Sequence, residues 1–111
     1  MILNKGDIVL VNFNPSKGKE IGKFRPAIII SGNEDNEMLE TVIVIPLSTV
    51  LVDNAYPYRV FISKRDKLLK DSNACIYEIR ALSKIRIKQK LAKVSDDEME
   101  IIKNALCEII K

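Results

Sequence analysis

Apolar residues gather into short runs separated by glycine, proline, asparagine and charge, a spacing that predicts strands over most of the chain. The run over residues 7–13, Asp-Ile-Val-Leu-Val-Asn-Phe, is too apolar for simple alternation, as expected of a strand covered on both faces. Asn14, Pro15 and Ser16 break it. A second strand is expected over 26–31 and a third, β-branched for most of its length, over 41–47. Alternation over 58–62 predicts a strand with one buried face, and another strand is expected over 74–79. Between them, 32–40 reads as an acidic turn or loop, 53–55 as a turn, and 63–72 as room for one short helix anchored by Leu68 and Leu69. Over 80–94, Ile85, Ile87, Leu91 and Val94 fit a short helical turn followed by a strand.

The clearest element comes last. Ser95-Asp96-Asp97-Glu98 is a capping-box sequence, and Met99, Ile102, Leu106, Ile109 and Ile110 then recur at helical spacing. Its acidic first turn suits the helix dipole. Several short strands with one terminal helix predict a mainly β fold: an SH3-like barrel of short, strongly curved antiparallel strands with a C-terminal amphipathic helix. Because Ile101 widens the apolar surface of that helix, a two-fold homodimer is expected to bury it.

The 111 residues, 47% of them hydrophobic, suit one domain over residues 1–111 with a single modest core. Asn4, Lys5, Gly6 and Asp7 interrupt the N-terminal residues, so no signal peptide is read there, no apolar run is long enough to span a membrane, and the chain reads as cytoplasmic. Cys75 and Cys107 lack metal-ligand spacing and are expected to be reduced and buried. With no histidine in the chain, His-based triads are excluded, and neither a metal site nor a cofactor is expected. The net charge of +3 is unevenly spread: residues 59–90 carry ten Lys or Arg against three acids, whereas 31–56 carry five acids and no Lys or Arg. A basic face of this kind fits a polyanion partner, or equally a solvated surface.

Candidate chemistry concentrates in Gly18-Lys19-Glu20-Ile21-Gly22-Lys23-Phe24-Arg25-Pro26. The glycines free peptide N–H groups for an anion, and Lys17, Lys19, Lys23 and Arg25 surround a single acid, Glu20. Pro26 holds Arg25 extended, so its guanidinium is placed to meet a phosphate with two parallel hydrogen bonds. The plainer reading is a solvated turn in which Glu20 pairs with Lys17 or Lys23.

Gly6-Asp7-Ile8-Val9, Asn14-Pro15, Gly18-x-Glu20, Arg25-Pro26-Ala27 and Pro46-Leu47-Ser48-Thr49, in this order, resemble the MazF/PemK family of toxins from toxin–antitoxin pairs. The likeness extends through Ile79-Arg80-Ala81-Leu82 and the terminal helix. It implies a sequence-specific, metal-independent and ribosome-independent endoribonuclease that works as a homodimer and is silenced by an antitoxin. The family's catalytic arginine falls on Arg25 and its catalytic threonine on Ser48, with Thr49 as the neighbouring alternative; Glu20 matches an acidic loop position. Serine in place of threonine keeps the hydroxyl. Glu78 stands where many members carry glutamine, a change that bears on base preference more than on activity.

Such an enzyme cuts single-stranded RNA through attack of its own 2′-OH, leaving a 2′,3′-cyclic phosphate and a 5′-OH. Arg25 would stabilise the charged transition state, Ser48 would hydrogen-bond a phosphate oxygen, and the base is Glu20 or Arg25 itself. Tyr56 and Tyr58 read as base-stacking residues or as packing; Arg80, Lys64, Arg65, Lys84, Arg86, Lys88 and Lys90 read as phosphate attraction. Two alternatives share the fold: a CcdB-like toxin that binds a protein target such as DNA gyrase, and a non-catalytic RNA-binding module.

Overall fold

The computed structural model describes residues 1–14 and 23–111, with the backbone alone at positions 14 and 23. β1 (Asp7–Asn14), β2 (Lys23–Ile29) and β3 (Thr41–Ser48) run antiparallel, with Ile8 opposite Ile28 and Ile28 opposite Ile45. β4 (Arg59–Ile62), β5 (Ser72–Cys75), β6 (Arg80–Ser83) and β7 (Ile87–Lys93) complete a seven-stranded sheet of order β4-β5-β3-β2-β1-β7, with β6 also on β3. Among the described residues no ladder joins β4 to β7; a hydrogen bond from Lys67 N–H to the Leu91 carbonyl, 2.9 Å, spans that gap. The mainly β class and the terminal helix are as the sequence predicts, and the sheet is an open one rather than a barrel closed by strand pairing.

Alternation along the strands divides the apolar residues between two cores. Ile8, Ile28, Ile45, Leu47, Ile62 and Ile76 pack on one side under Met99, Ile102 and Ala105 of the helix α2 (Asp96–Ile109). Val9, Val11, Ala27, Ile29, Val42, Val44 and Leu82 fill the other side. The continuous apolar run of β1 therefore has the cause read from sequence, both faces being covered, whereas β3 leaves Thr41 and Ile43 exposed before it is covered on both sides.

β5 and β6 share one edge of β3, but not in one register. Leu47 pairs with Ala74 and Val44 with Arg80, so five residues on the β5–β6 side oppose two on β3. The surplus is taken up by a 3₁₀ turn, Ile76–Glu78, which ends the strand expected over 74–79 at Cys75. Ile76, fully buried, anchors that turn while Tyr77 and Glu78 are turned outward. A further 3₁₀ turn, Lys84–Arg86, precedes β7 as the sequence predicts, although β6 before it was not foreseen.

Three other expectations are corrected. Residues expected as an acidic loop include a helix, α1 (Asn33–Met38), held by a tertiary polar plug. Its buried Asn36 donates to the Leu3 and Ser31 carbonyls at 3.2 and 3.0 Å and accepts from the Ser31 hydroxyl. The short helix expected over 63–72 is instead a tight turn in which Arg65 and Leu68 exchange backbone hydrogen bonds of 3.0 and 2.8 Å, with Asp66 at φ 48°. Leu68 is 3% exposed and Leu69 80%, because neighbours on extended backbone point to opposite sides. Cys75 is buried as expected, but Cys107 lies on the exposed side of α2.

The capping box of α2 is present in full, with Ser95 Oγ accepting from Glu98 N–H at 3.1 Å and Glu98 Oε1 from Ser95 N–H at 2.8 Å. Its main apolar stripe is spent on the first core, leaving Ile101 and Ile110 exposed. No described helix is long and apolar enough to cross a membrane.

Candidate active site

At one end of the sheet the second core runs out. One alternation step beyond its last residues, Val11, Ala27, Val44 and Leu82, stand Phe13, Arg25, Pro46 and Arg80. These four side chains and Glu78 wall a cleft of about 320 Å³. Three strands and the edge strand β6 thus supply its sides, and each wall residue is aimed by the buried neighbour two positions away.

Two irregularities shape the cleft. In the β1–β2 ladder Asn12 pairs with Phe24 and Asn14 with Lys23, so Phe13 is the extra residue of a β-bulge, a device that re-aims a side chain. Arg86 donates to the Phe13 carbonyl at 3.4 Å, and the Arg80 guanidinium lies over the Phe13 ring at 5.5 Å from its centroid. The 3₁₀ turn does the same for Glu78, lifting it out of the β3 ladder to the rim.

Arg25 pairs with Val11 across β1. Among the described residues no hydrogen bond or ion pair occupies its guanidinium. Beneath the cleft lies Cys75, whose thiol burial pushes upward; the nearby Arg59 pulls it down, Glu78 raises it further, and Arg25 lowers it. The thiol donates to the Asn73 carbonyl at 3.7 Å, with the Glu78 carboxylate as a second acceptor nearby. Its role is packing.

Ser48 is one alternation step past Pro46 on the same face of β3, beyond the last β2–β3 pair, Ala27–Pro46, and pairs with Asn73 of β5. Its Oγ accepts from Val50 N–H at 3.2 Å, which leaves the hydroxyl proton to donate. The loop after it is pinned: Arg59 donates to the Val50 carbonyl and Val52 N–H to Asn73 Oδ1, both at 2.9 Å. Ser48 is therefore fixed at the end of β3, two residues past the cleft wall Pro46, and is not itself one of the walls.

The other candidates disperse. Lys17, Lys19 and Glu20 lie outside the described residues, as does the side chain of Lys23; their segment joins the cleft ends of β1 and β2, where Asn14 pairs with Lys23. Thr49 lines a separate cleft with Pro26, Lys67 and Lys70. Tyr58 packs near Tyr77, ring centroids 6.2 Å apart, and both face Glu108 and Lys111 at the end of α2. Partial desolvation and the Glu108 carboxylate push the Tyr56 hydroxyl above its ordinary value, placing that residue beside the helix too.

The basic face also divides. Arg65 is held by Glu98, Lys90 Nζ lies 3.2 Å from Asp7 Oδ2, and Lys84 lines a cleft with Met1, Glu34 and Glu37. Lys88 lies over the Phe24 ring, 5.2 Å from its centroid, and Phe24, next to Arg25 in β2, points to the face opposite the cleft. Pro46 belongs to a motif quoted from the sequence, but neither it nor Phe13 is named there as a site residue; their signal is the alternation step past a buried valine, visible once the core face of each strand is known.

A model of the family described as PemK-like, MazF-like toxin of type II toxin–antitoxin systems matches residues 4–110. The chain is 36% identical over 106 residues to the endoribonuclease MazF of Staphylococcus saprophyticus subsp. saprophyticus, spanning 95% of this chain and 88% of that one. Among solved structures, MazE–MazF from Deinococcus radiodurans superposes with a TM-score of 0.81 at 21% identity, covering 99% of this chain and 96% of that one. An endoribonuclease in complex with its cognate antitoxin from Mycobacterial species gives a TM-score of 0.71 at 21% identity, covering 96% and 91%.

Proposed function

The chain belongs to the PemK-like, MazF-like toxins of type II toxin–antitoxin systems, and from that membership we propose that it is an endoribonuclease cutting single-stranded RNA at the Arg25 cleft. The observation that carries the assignment of the site is the Arg25 guanidinium, paired with no described residue, in the cleft where the second core ends.

RNA brings its own nucleophile. A base takes the proton from the 2′-OH, the 2′-oxygen bonds to phosphorus, the bond from phosphorus to the 5′-oxygen breaks, and that oxygen takes up a proton. The products are a 2′,3′-cyclic phosphate and a 5′-OH. Arg25, a planar five-donor cation, holds two phosphate oxygens and meets the negative charge that grows as the 2′-oxygen adds. The Ser48 hydroxyl donates to a third oxygen position or to the leaving group. Glu20 is the proton acceptor in this scheme, since an arginine with a pKa above about 12 is a poor base. The protein's contribution is positioning and electrostatics, without a metal ion.

Two partners follow from the same reading. The relatives solved as complexes carry an antitoxin, and a basic RNA cleft is complementary to an acidic peptide, so a cognate antitoxin is expected to compete with RNA. A homodimer is expected as well. Its support shifts from α2, whose stripe is internal, to the exposed Met1, Ile2, Met38, Leu39 and Ile85 around α1 and the start of the chain.

The test is incubation of purified protein with a mixed-sequence RNA in EDTA. Discrete fragments bearing 5′-OH ends support the proposal. RNA retention without scission would make the protein a binding module, and cleavage restored only by magnesium would overturn the mechanism.

A further inference from the structure

We propose that Glu78 selects a guanine beside the scissile phosphate, a reading that rests on the Arg25 cleft being the RNA site. Glu78 shares the cleft of about 320 Å³ with Arg25, so a base reaching its carboxylate belongs to a nucleotide flanking the phosphate that Arg25 holds. Among the described residues no Lys or Arg nitrogen lies within ion-pair distance of that carboxylate, although Arg25 and Arg80 line the same walls. The Cys75 thiol lies close enough to hydrogen-bond this carboxylate from the protein side, and Glu78 itself is exposed, so its outward oxygen lone pairs face the cleft.

The mount is stiff. Ile76 is fully buried two residues before Glu78, its N–H donates to the Tyr58 carbonyl at 3.0 Å, and Ile79 N–H closes the turn on the Ile76 carbonyl at 3.2 Å. Arg80, exposed and stacked over Phe13, offers its outer face as a plane on which a base can lie. A base stacked there presents its edge to the rim where Glu78 stands.

Chemistry then narrows the base. An ionised carboxylate only accepts hydrogen bonds, through two parallel oxygens. Guanine alone among the four RNA bases presents two adjacent donors, N1–H and N2–H, on its Watson–Crick edge. Adenine and cytosine offer one amino donor beside an acceptor nitrogen, and uracil one donor between two carbonyls, so each would set an acceptor against a carboxylate oxygen. A carboxylate in a polyanion's cleft also repels the backbone, a cost that the two donors of guanine offset. Losing one good bidentate base contact is expected to change cleavage on the order of 10- to 100-fold.

The experiment maps every 5′-OH end that the wild-type protein produces from a long mixed-sequence transcript. It then compares a short cleaved oligoribonucleotide with its inosine-substituted twin, which lacks the N2 amino group. Expected are a guanine at one fixed position next to the cut and a 10- to 100-fold slower cleavage of the inosine substrate. E78Q should still cleave but lose the guanine requirement, because an amide presents one donor and one acceptor. Cut sites without a fixed guanine, or equal cleavage of guanosine and inosine substrates, overturn this inference and leave the nuclease reading standing. Absence of any cleavage overturns both. If E78Q does not fold, the inosine comparison on the wild-type protein decides alone.

Discussion

Replacing Glu98 by glutamine isolates one charge in a junction that ties three parts of the chain together. The Glu98 carboxylate takes both terminal nitrogens of Arg65, Nη2 at 2.6 Å, while its Oε1 also caps Ser95 N–H. Arg65 in turn donates to Ser63 Oγ at 2.9 Å, to the Ser63 carbonyl at 3.0 Å and to the Lys93 carbonyl at 3.3 Å. The pair therefore clamps the 63–68 turn, the end of β7 and the start of α2. A hydrogen bond to a charged group contributes about 1.5–3 kcal/mol. With the two side chains 25% and 22% exposed, solvent screening brings the pair down to about 1 kcal/mol. Glutamine retains the capping box, so E98Q should lose about 1 kcal/mol at pH 7, a fall of roughly 4–8 °C in Tm for a domain near this size.

The sign of the pH dependence follows from the same contacts. The Arg65 guanidinium holds the Glu98 carboxyl below its ordinary value, against a smaller opposing effect of burial, and Arg65 itself is pushed up and stays charged throughout. A carboxylate with a depressed folded pKa stabilises above its unfolded value of about 4.3 and loses that contribution as pH falls through the folded value. The gap in urea midpoint between wild type and E98Q should be full at pH 7 and close toward pH 3. A gap of equal size at both ends, or none at pH 7, would refute the assignment.

Ser48→Ala should slow RNA cleavage roughly 10²–10³-fold by loss of one transition-state hydrogen bond, while Ser48→Thr stays active; equal rates for all three would remove Ser48 from the site. Native protein should react with a water-soluble disulfide reagent at Cys107 only, the buried Cys75 thiol being both shielded and held protonated, and the second equivalent should appear on unfolding. Gly6→Ala should destabilise by about 1–3 kcal/mol in chemical denaturation, because Gly6 sits at φ 93° while its hydrogen bonds to Ile29 and Val94 fix that backbone.

What the sequence made legible was whatever a local signal encodes. The capping box at Ser95 and Glu98, the β-branched run of β3 and the apolar run of β1 each state their own conformation, and each is found where expected. α1 was missed because nothing local holds it: Asn36 makes it a helix by reaching back to Leu3 and Ser31. The 63–72 segment misled because paired leucines look like a helical anchor, whereas Asp66 turns the backbone over and leaves Leu69 outside. At the site, Arg25, Ser48, Glu78 and Arg80 were nameable from their motifs, but the role of Phe13 needed the bulge, and a bulge is a property of two strands in register. The terminal helix showed its apolar residues plainly; only the packing reveals that they serve the chain's own core.

The central claim, that the Arg25 cleft is where RNA is cut, is tested most directly by measuring cleavage rate and RNA affinity side by side for Arg25→Lys. Lysine keeps the charge and loses the two-pronged geometry. The account predicts a fall in single-turnover cleavage of roughly 10²-fold or more, with RNA affinity nearly unchanged. Cleavage at the wild-type rate, or a loss of rate no larger than the loss of affinity, would contradict it.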